Sequence, residues 1–166
     1  MTTTTTERTT VYLALGSNLG DRAGALARAL ARLGARGVHN LARSAIYETD
    51  PVTPDPQPLY LNAVVRGETA LSAEALLALC LDVEREMGRQ RSPARAQAPR
   101  EIDIDLLLYG SAIIGAPPAL VVPHPRLLER PFVRIPLCDV AAPGLRHPVT
   151  GERLDRATPH PSVRRA

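Results

Sequence analysis

Residues 11–33 have the sequence VYLALGSNLGDRAGALARALARL, and they determine how the fold begins. The apolar run at residues 11–15 predicts a short buried β-strand, and the GSNLG sequence after it is typical of a turn. Asp21 is a suitable N-cap for a helix that ends at Gly34 or Gly37. One face of this helix is apolar and carries Leu26, Leu30 and Leu33. The chain therefore begins with a strand, a turn and an amphipathic helix.

The same patterns predict three more strands and a second helix. The strands cover residues 38–47, 59–66 and 102–109, and the helix begins at the N-cap Ser72 and ends at Gly88. This order is the ferredoxin-like βαββαβ pattern, an α+β fold with an antiparallel sheet and helices on one face. The remainder holds more than half of the 16 prolines, so we expect a loop-rich C-terminal extension with short helical turns.

The composition limits the class of protein. The chain has 166 residues, 45% hydrophobic and 22% charged, which is typical of one globular domain. No apolar run approaches the roughly 18 residues of a membrane span. Residues 1–10 are rich in threonine and lack the apolar core of a secretory signal. Cys80 and Cys138 are too few for a disulfide framework. We expect a cytoplasmic protein.

The domain organisation follows from the same observations. We expect a disordered tail at residues 1–10 and a single domain at residues 11–166. Residues 146–166 are expected to be either an ordered cap on this domain or a flexible tail. The sequence shows neither an internal repeat nor a linker between domains.

All 20 basic residues are arginines. A bound phosphate would therefore be held by guanidinium groups, which favour bidentate contacts. A chain without lysine has no P-loop lysine, and the dinucleotide fingerprint G-x-G-x-x-G is also absent. Any nucleotide must be bound in another way.

Asp103 and Asp105 are the sharpest local signal. Residues two apart on a strand point to the same face, and their Cα atoms are about 6.5 Å apart. Two neighbouring carboxylates suit Mg²⁺, which takes one or two carboxylates plus substrate phosphates. Residues 89–100 just before them are rich in arginine and contain no acid, as a metal–polyphosphate site requires. The alternatives, a solvated acidic strand face and an exposed solubilising loop, remain open.

Other residues give weaker signals. His124 lies between two prolines and close to Arg126 and Arg130, so it is either a phosphate contact or a structural or surface residue. Tyr60 and Phe132 border loops, and composition alone favours core packing for both.

Several motifs together resemble one family. They are YLALGSNLGDR at 12–22, YETDPV at 47–52, YLNAVV at 60–65, PREIDIDLLLYG at 99–110 and VPHPRLLERPFVRIPL at 122–137. They are similar to the 6-hydroxymethyl-7,8-dihydropterin pyrophosphokinases of folate biosynthesis, and the likeness extends from Val11 to about Pro143. Members of that family have the same ferredoxin-like order of elements.

The resemblance implies transfer of pyrophosphate from ATP to the hydroxymethyl oxygen of the pterin, with release of AMP. By position, Asp103 and Asp105 would be the ligands of Mg²⁺, two ions in all, and Asp103 would also assist deprotonation of the hydroxyl. Arg89 and Arg100 would contact the phosphates and support the transition state.

The resemblance also implies the residues that bind the two substrates. The pterin would stack between Tyr60 and Phe132, with its edge on Asn62. Backbone groups from Thr49 to Val52, which include those of Pro51, would complete that wall. The ATP side would be lined by Glu84, Arg91, Arg100, His124 and Arg130. We expect a monomer that uses ATP and the pterin as its small-molecule substrates and has neither a nucleic-acid nor a membrane partner.

Three other classes of protein share single features with this chain. D-x-D phosphatases place the first aspartate on a loop and bring a lysine, and metal-dependent glycosyltransferases are much longer. An RNA-binding ferredoxin-like module with an arginine-rich loop is the non-enzymatic alternative. Such modules stack bases on aromatic residues of the sheet, and the four tyrosines and one phenylalanine here do not form that cluster.

Overall fold

The computed structural model describes residues 7–51, 56–88, 101–115 and 120–166. In these ranges the strands are β1 (Thr9–Ser17), β2 (Val38–Arg43), β3 (Tyr47–Thr49), β4 (Tyr60–Thr69), β5 (Asp103–Tyr109) and β6 (Val163–Arg165). The helices are α1 (Arg22–Ala35), α2 (Ala73–Glu86) and α3 (Pro131–Val140), and a 3₁₀ turn covers Leu127–Glu129.

The strands form one antiparallel sheet. Its order is β5-β1-β4-β3-β6, and β2 also pairs with β4, beside β3. All the strand pairings are antiparallel. The predicted α+β architecture with an antiparallel sheet is confirmed.

Helices α1 and α2 cover one face of the sheet. Asp21 accepts a hydrogen bond from the Gly24 N–H at 3.0 Å, and Ser72 accepts one from the Ala75 N–H at 3.1 Å. Both predicted N-caps are therefore confirmed. The apolar stripes of the two helices pack with the sheet into one core, whose members include Leu26, Leu33, Leu76, Cys80, Val83, Met87, Ile102 and Ile104.

Helix α3 covers the other face, where it packs with residues such as Tyr12, Val64 and Leu107. The expectation of helices on one face only is therefore wrong. The expectation of short helical turns in the C-terminal extension is also wrong for α3, which has ten residues. Pro131 occupies the start of the helix, where no N–H partner is needed. Pro136 lies inside the helix, and its ring is buried together with Leu137, so packing outweighs the lost backbone bond.

The strand predicted at residues 38–47 is two strands. Ser44 interrupts it, because the Ser44 hydroxyl accepts the Val64 N–H at 2.9 Å and donates to the Ala45 carbonyl at 2.7 Å. A side chain thus replaces one backbone partner of β4, and the chain resumes pairing at Tyr47.

Both ends of the described chain pair with the sheet. Strand β1 begins at Thr9 and extends through Gly16 and Ser17, which the sequence assigned to a turn. Strand β6 pairs with β3 close to the C-terminus. Within the described ranges, no helix is long and apolar enough to cross a membrane.

Candidate active site

Four residues form a row across the sheet. Tyr47 on β3 pairs with Asn62 on β4, Asn62 pairs with Gly16 on β1, and Gly16 pairs with Asp103 on β5. Neighbouring strands lie about 4.8 Å apart, so the Asn62 and Asp103 backbones are about 10 Å apart. Gly16 between them contributes no side chain. In this row, an amide and a carboxylate are therefore separated by one position that carries no side chain of its own.

Gly16 lies close beneath the side chains of its neighbours. A Cβ atom at this position would lie 2.6 Å from Asn62 Oδ1 and 3.4 Å from Tyr60 Cδ1. The first distance is too short for any real contact, so a larger residue would have to displace the Asn62 amide. These distances also place Tyr60 and the Asn62 amide oxygen on the same face of the sheet.

Asp103 and Asp105 lie on that face as well. They alternate along β5 with Ile104 and Leu106, which are buried in the core under α1 and α2. The prediction that the two carboxylates share one face is confirmed. Among the described residues no group of three or more histidine, cysteine, aspartate or glutamate side chains could hold a metal ion.

Hydrogen bonds orient the side chains around Asn62. Its Nδ2 donates to Thr49 Oγ1, and Thr49 is almost completely buried. Because Nδ2 is engaged, the amide oxygen is the atom that lies over Gly16. The orientation of this amide is thus set by β3.

Two residues that the sequence analysis did not select form hydrogen bonds with residues 57–59, just before β4. Asn18 donates to Gln57 Oε1 at 3.1 Å and to the Pro58 carbonyl at 3.3 Å. Arg22 donates to the Leu59 carbonyl at 2.8 Å and pairs with Glu48 at 3.2 Å. The sequence signal was the position of Asn18 directly after β1 and of Arg22 at the start of α1, where polar groups can reach the proline-rich segment before β4.

Tyr60 and Phe132 belong to different elements on the same side of the sheet. Tyr60 begins β4, and Phe132 lies in the first turn of α3. Phe132 is partly buried against the core beneath α3. The Arg130 guanidinium carbon lies 5.5 Å from the centre of the Phe132 ring, a cation–π distance.

Arg130 also approaches the carboxylate pair. Its Nη1 is 4.0 Å from Asp105 Oδ2, which is attractive but longer than a hydrogen bond. Its buried Nε has no hydrogen-bond partner among the described residues. Burial lowers the pKa of Arg130, and Asp105 acts in the opposite direction. A partly desolvated guanidinium of this kind can bind an anion strongly.

His124 is held neutral beside β5. Its backbone N–H donates to the Leu107 carbonyl at 2.9 Å. Burial, with the nearby charge of Arg130, lowers the pKa of His124 to about 4, although Asp103 acts in the opposite direction. Nδ1 accepts the Arg126 N–H at 3.1 Å, so the neutral ring carries its proton on Nε2. His124 can therefore donate one hydrogen bond without adding charge.

The remaining predicted residues are not all brought to this face. Arg89, Arg91, Arg100 and Val52 lie outside the described residues. Pro51 is half-buried just after β3. Glu84 is buried on α2, which packs on the opposite face of the sheet, and its position on the ATP side stays a prediction.

A family model matches this chain over residues 12–142; its description is 7,8-dihydro-6-hydroxymethylpterin-pyrophosphokinase (HPPK). The chain belongs to the HPPK family. The resemblance inferred from the sequence motifs is thereby confirmed.

Curated relatives agree with this membership. The 2-amino-4-hydroxy-6-hydroxymethyldihydropteridine pyrophosphokinase of Methylorubrum extorquens is 44% identical over 80% of this chain and 83% of that protein. The enzyme of the same name from Porphyromonas gingivalis strain W83 is 43% identical over 79% of this chain and 90% of that protein. The folic acid synthesis protein fol1 of Pneumocystis carinii is 41% identical over 85% of this chain, which spans only 18% of its length.

A solved structure shows the same fold. Wild-type HPPK-DHPS of Plasmodium falciparum superimposes with a TM-score of 0.68 at 13% identity, and the match covers 90% of this chain and 44% of that one. HPPK chains thus occur both as separate proteins of similar length and as parts of longer ones.

Proposed function

We propose that this chain transfers the pyrophosphoryl group of ATP to 6-hydroxymethyl-7,8-dihydropterin, giving the pterin diphosphate and AMP. Family membership and the names of the relatives support this reaction. The observation that carries it is the row across the sheet, in which Asn62 and Asp103 flank Gly16 on one face. An amide that recognises a ring edge thus lies about two strand spacings from a carboxylate pair suited to polyphosphate.

The pterin is bound by the half of the site around Asn62. The Asn62 amide oxygen over Gly16 accepts an N–H of the ring edge, while its Nδ2 stays on Thr49. Tyr60 and Phe132 supply two aromatic faces for stacking. In this proposal, backbone groups of Thr49, Pro51 and Val52 contact the edge of the ring. A flat, polar-edged ring needs few aromatic residues for such a pocket.

Mg²⁺ fits the residues of the other half. Asp103 and Asp105 offer hard carboxylate oxygens on one face, and no third acidic, histidine or cysteine side chain joins them in the described part of the chain. This is the incomplete donor set that Mg²⁺ shares with substrate phosphates. Mg²⁺ would neutralise phosphate charge during transfer. The two carboxylates hold two ions in this proposal.

The nucleotide phosphates lie between the metal ligands and the arginines. Arg130 is charged and partly desolvated beside Asp105, so it gives a phosphate a charge-assisted contact. Neutral His124 donates its Nε2–H. The other ATP contacts in this proposal are Glu84, Arg89, Arg91 and Arg100.

The chemical step needs alignment more than covalent chemistry. The hydroxymethyl oxygen attacks the β-phosphorus of ATP, and the bond between that phosphorus and the α–β bridging oxygen breaks. AMP leaves with the bridging oxygen, and the proton of the hydroxyl passes to Asp103. Arg89 and Arg100 support the charge of the transition state.

The finer properties of the fold and the protein are also proposals. The strand order β5-β1-β4, with β2 and β3 sharing the fourth position, supports a ferredoxin-like sheet. We place the chain in the cytoplasm as a monomer of one domain that binds small molecules and no nucleic acid.

The test is AMP release from ATP with Mg²⁺, measured with and without the pterin. AMP that appears only with the pterin supports the proposal. Formation of ADP, or AMP release that does not depend on the pterin, contradicts the assigned reaction. For variants that remove a carboxylate at Asp103 or Asp105, Asp82→Asn is a suitable control. Asp82 lies on α2 and pairs with Arg85 and Arg36.

A further inference from the structure

The C-terminal strand β6 lies next to the part of the sheet that orients Asn62. Strand β3 has only three residues, and on one side it pairs with β4, where Thr49 lies opposite Tyr60. Thr49 also receives the hydrogen bond that orients Asn62. Any shift of β3 therefore moves the acceptor on which the Asn62 amide depends.

The other side of β3 is paired with β6 along its whole length. Tyr47, Glu48 and Thr49 lie opposite Arg165, Arg164 and Val163. Two further backbone bonds extend this pairing, from the Asp50 N–H to the Ser162 carbonyl at 3.2 Å and from the Ala166 N–H to the Ile46 carbonyl at 2.9 Å. Without β6, β3 would be a three-residue edge strand with one row of backbone groups unpaired.

Arg164 adds a side-chain connection at the end of β3. Its Nη2 donates to Asp50 Oδ1 at 3.0 Å, and its Nη1 donates to the Pro161 carbonyl at 2.9 Å. The guanidinium thus joins the residue after β3 to the turn before β6. The pair is about half exposed, so it contributes little to global stability. Its effect is on the local position of Asp50.

The carboxylate pair lies at the opposite edge of the sheet. Asp103 and Asp105 are on β5, the first strand in the order β5-β1-β4-β3-β6. A change in β6 therefore reaches Thr49 through one strand pairing and Asp103 only through four. Its effect on the two halves of the site should differ.

We propose that residues 160–166 position the pterin half of the site and that Arg164 is a positioning residue for it. This inference rests on the proposed function, because it names the half of the site that binds the pterin. The segment touches no reacting atom. It holds β3 and Asp50 so that Thr49 keeps the Asn62 amide in its binding orientation.

The experiment compares the wild-type protein with Arg164→Ala, Arg164→Lys and a deletion of residues 160–166. Arg146→Ala is the matched control, since Arg146 is also a C-terminal arginine but bonds to the Gly151 carbonyl within its own turn. KM for the pterin, KM for ATP and kcat are measured for each protein. Amide hydrogen exchange of residues 46–51 and 103–109 is measured in parallel.

Arg164→Ala should raise KM for the pterin about threefold, the size expected from an exposed ion pair. The deletion, which removes several backbone bonds, should raise it about tenfold or more. KM for ATP should change less than about twofold. Exchange should accelerate in residues 46–51 and not in 103–109. Arg164→Lys should restore part of the loss, and Arg146→Ala should match the wild type.

Equal rises in both KM values, or unchanged exchange in residues 46–51, would overturn the inference. If the deletion prevents folding, the KM values and the hydrogen exchange of Arg164→Ala still test the inference. If the wild-type protein releases no pterin-dependent AMP, the proposed function fails, and the exchange measurement alone shows whether residues 160–166 position β3.

Discussion

The two halves of the candidate site are built differently. In the half around Asn62, direct hydrogen bonds connect the side chains to the chain that surrounds them, as in the contacts of Thr49, Asn18 and Arg22. In the half around Asp103, the described side chains are two carboxylates, a guanidinium group and a neutral histidine, and Arg130 Nη1 lies 4.0 Å from Asp105 Oδ2. The described contacts of the first half are mainly hydrogen bonds to uncharged groups, whereas those of the second half involve charged side chains and a neutral histidine.

This difference suggests how each half meets its substrate. A ring edge is recognised by fixed donors and acceptors, so its site gains from being preformed. A polyphosphate brings its own charge and its own metal ligands, so its site needs carboxylates and guanidinium groups that are completed on binding. Substitutions in the two halves should therefore affect different kinetic parameters.

The largest effect is expected at the carboxylate pair. Asp103→Asn removes the charge while it keeps the size of the side chain, so pterin-dependent AMP release should fall about 10³-fold or more, about 4 kcal/mol of transition-state stabilisation. Binding of the pterin alone, measured by calorimetry, should change little. A variant that retains turnover, or that loses pterin binding to the same degree, would remove the distinction between the halves.

Gly16→Ala should produce the next largest effect, in the other half. The new methyl group would meet Asn62 Oδ1 at 2.6 Å, and overpacking of this kind costs about 1–3 kcal/mol. Because the amide has to move, KM for the pterin should rise about tenfold, while nucleotide affinity measured with a non-hydrolysable ATP analogue stays unchanged.

Gly34→Ala is the matched control for Gly16→Ala. Its new methyl group would meet Leu41 Cδ1 at 3.5 Å, an ordinary contact, inside α1. It should leave both substrates unaffected and stabilise the protein by about 0.5–1 kcal/mol. If Gly16→Ala weakened ATP binding as much as pterin binding, the row across the sheet would not separate the halves.

Local chemistry was enough to predict how several side chains are placed in the fold. Side-chain alternation placed Asp103 and Asp105 on one face, and the caps at Asp21 and Ser72 followed from residue type and spacing. The role of Gly16 as a spacer could not be predicted, because it depends on which residues β4 and β5 bring beside it. A turn is the commoner use of a Gly-Ser-Asn sequence.

Long-range contacts decided the features that the sequence did not reveal. Pro136 indicates a helix break, yet α3 continues because its apolar side is buried against the sheet. The break between β2 and β3 depends on Ser44 meeting Val64, twenty positions along the chain. The pairing of β6 with β3 joins residues more than one hundred positions apart, beyond the reach of any local pattern.

Thr49→Val should have a smaller effect than Gly16→Ala. It keeps the shape of a buried strand residue and removes the acceptor of the Asn62 Nδ2 bond. The loss of one neutral hydrogen bond is worth about 0.5–1.5 kcal/mol, so KM for the pterin should rise about three- to tenfold. Thr49→Ser retains the hydroxyl and should behave like the wild type. Equal kinetics for the two variants would show that this bond does not orient the amide.

The smallest effect is expected at His147, which lies in the C-terminal turns outside both halves and should alter stability alone. Its Nδ1 accepts the Val149 and Thr150 N–H groups at 3.2 Å each, so protonation would break both bonds. Burial lowers the pKa of His147, Arg134 adds to this, and Glu152 opposes it. The unfolded chain therefore binds the proton more readily, and stability should be lost as the pH falls below about 6.5.

His147→Asn supplies an uncharged acceptor at the same position and should reduce the loss of stability at low pH. Urea unfolding at pH 7.5 and pH 5.5 measures the free energy of unfolding of both proteins. The lowered pKa of His124 acts in the same direction in both proteins, so the difference between their pH profiles isolates His147. Parallel profiles would mean that His147 is not held neutral by its turn. A change in either KM at pH 7.5 would mean that the C-terminal turns belong to the site. The site would then consist of three parts and not of two halves.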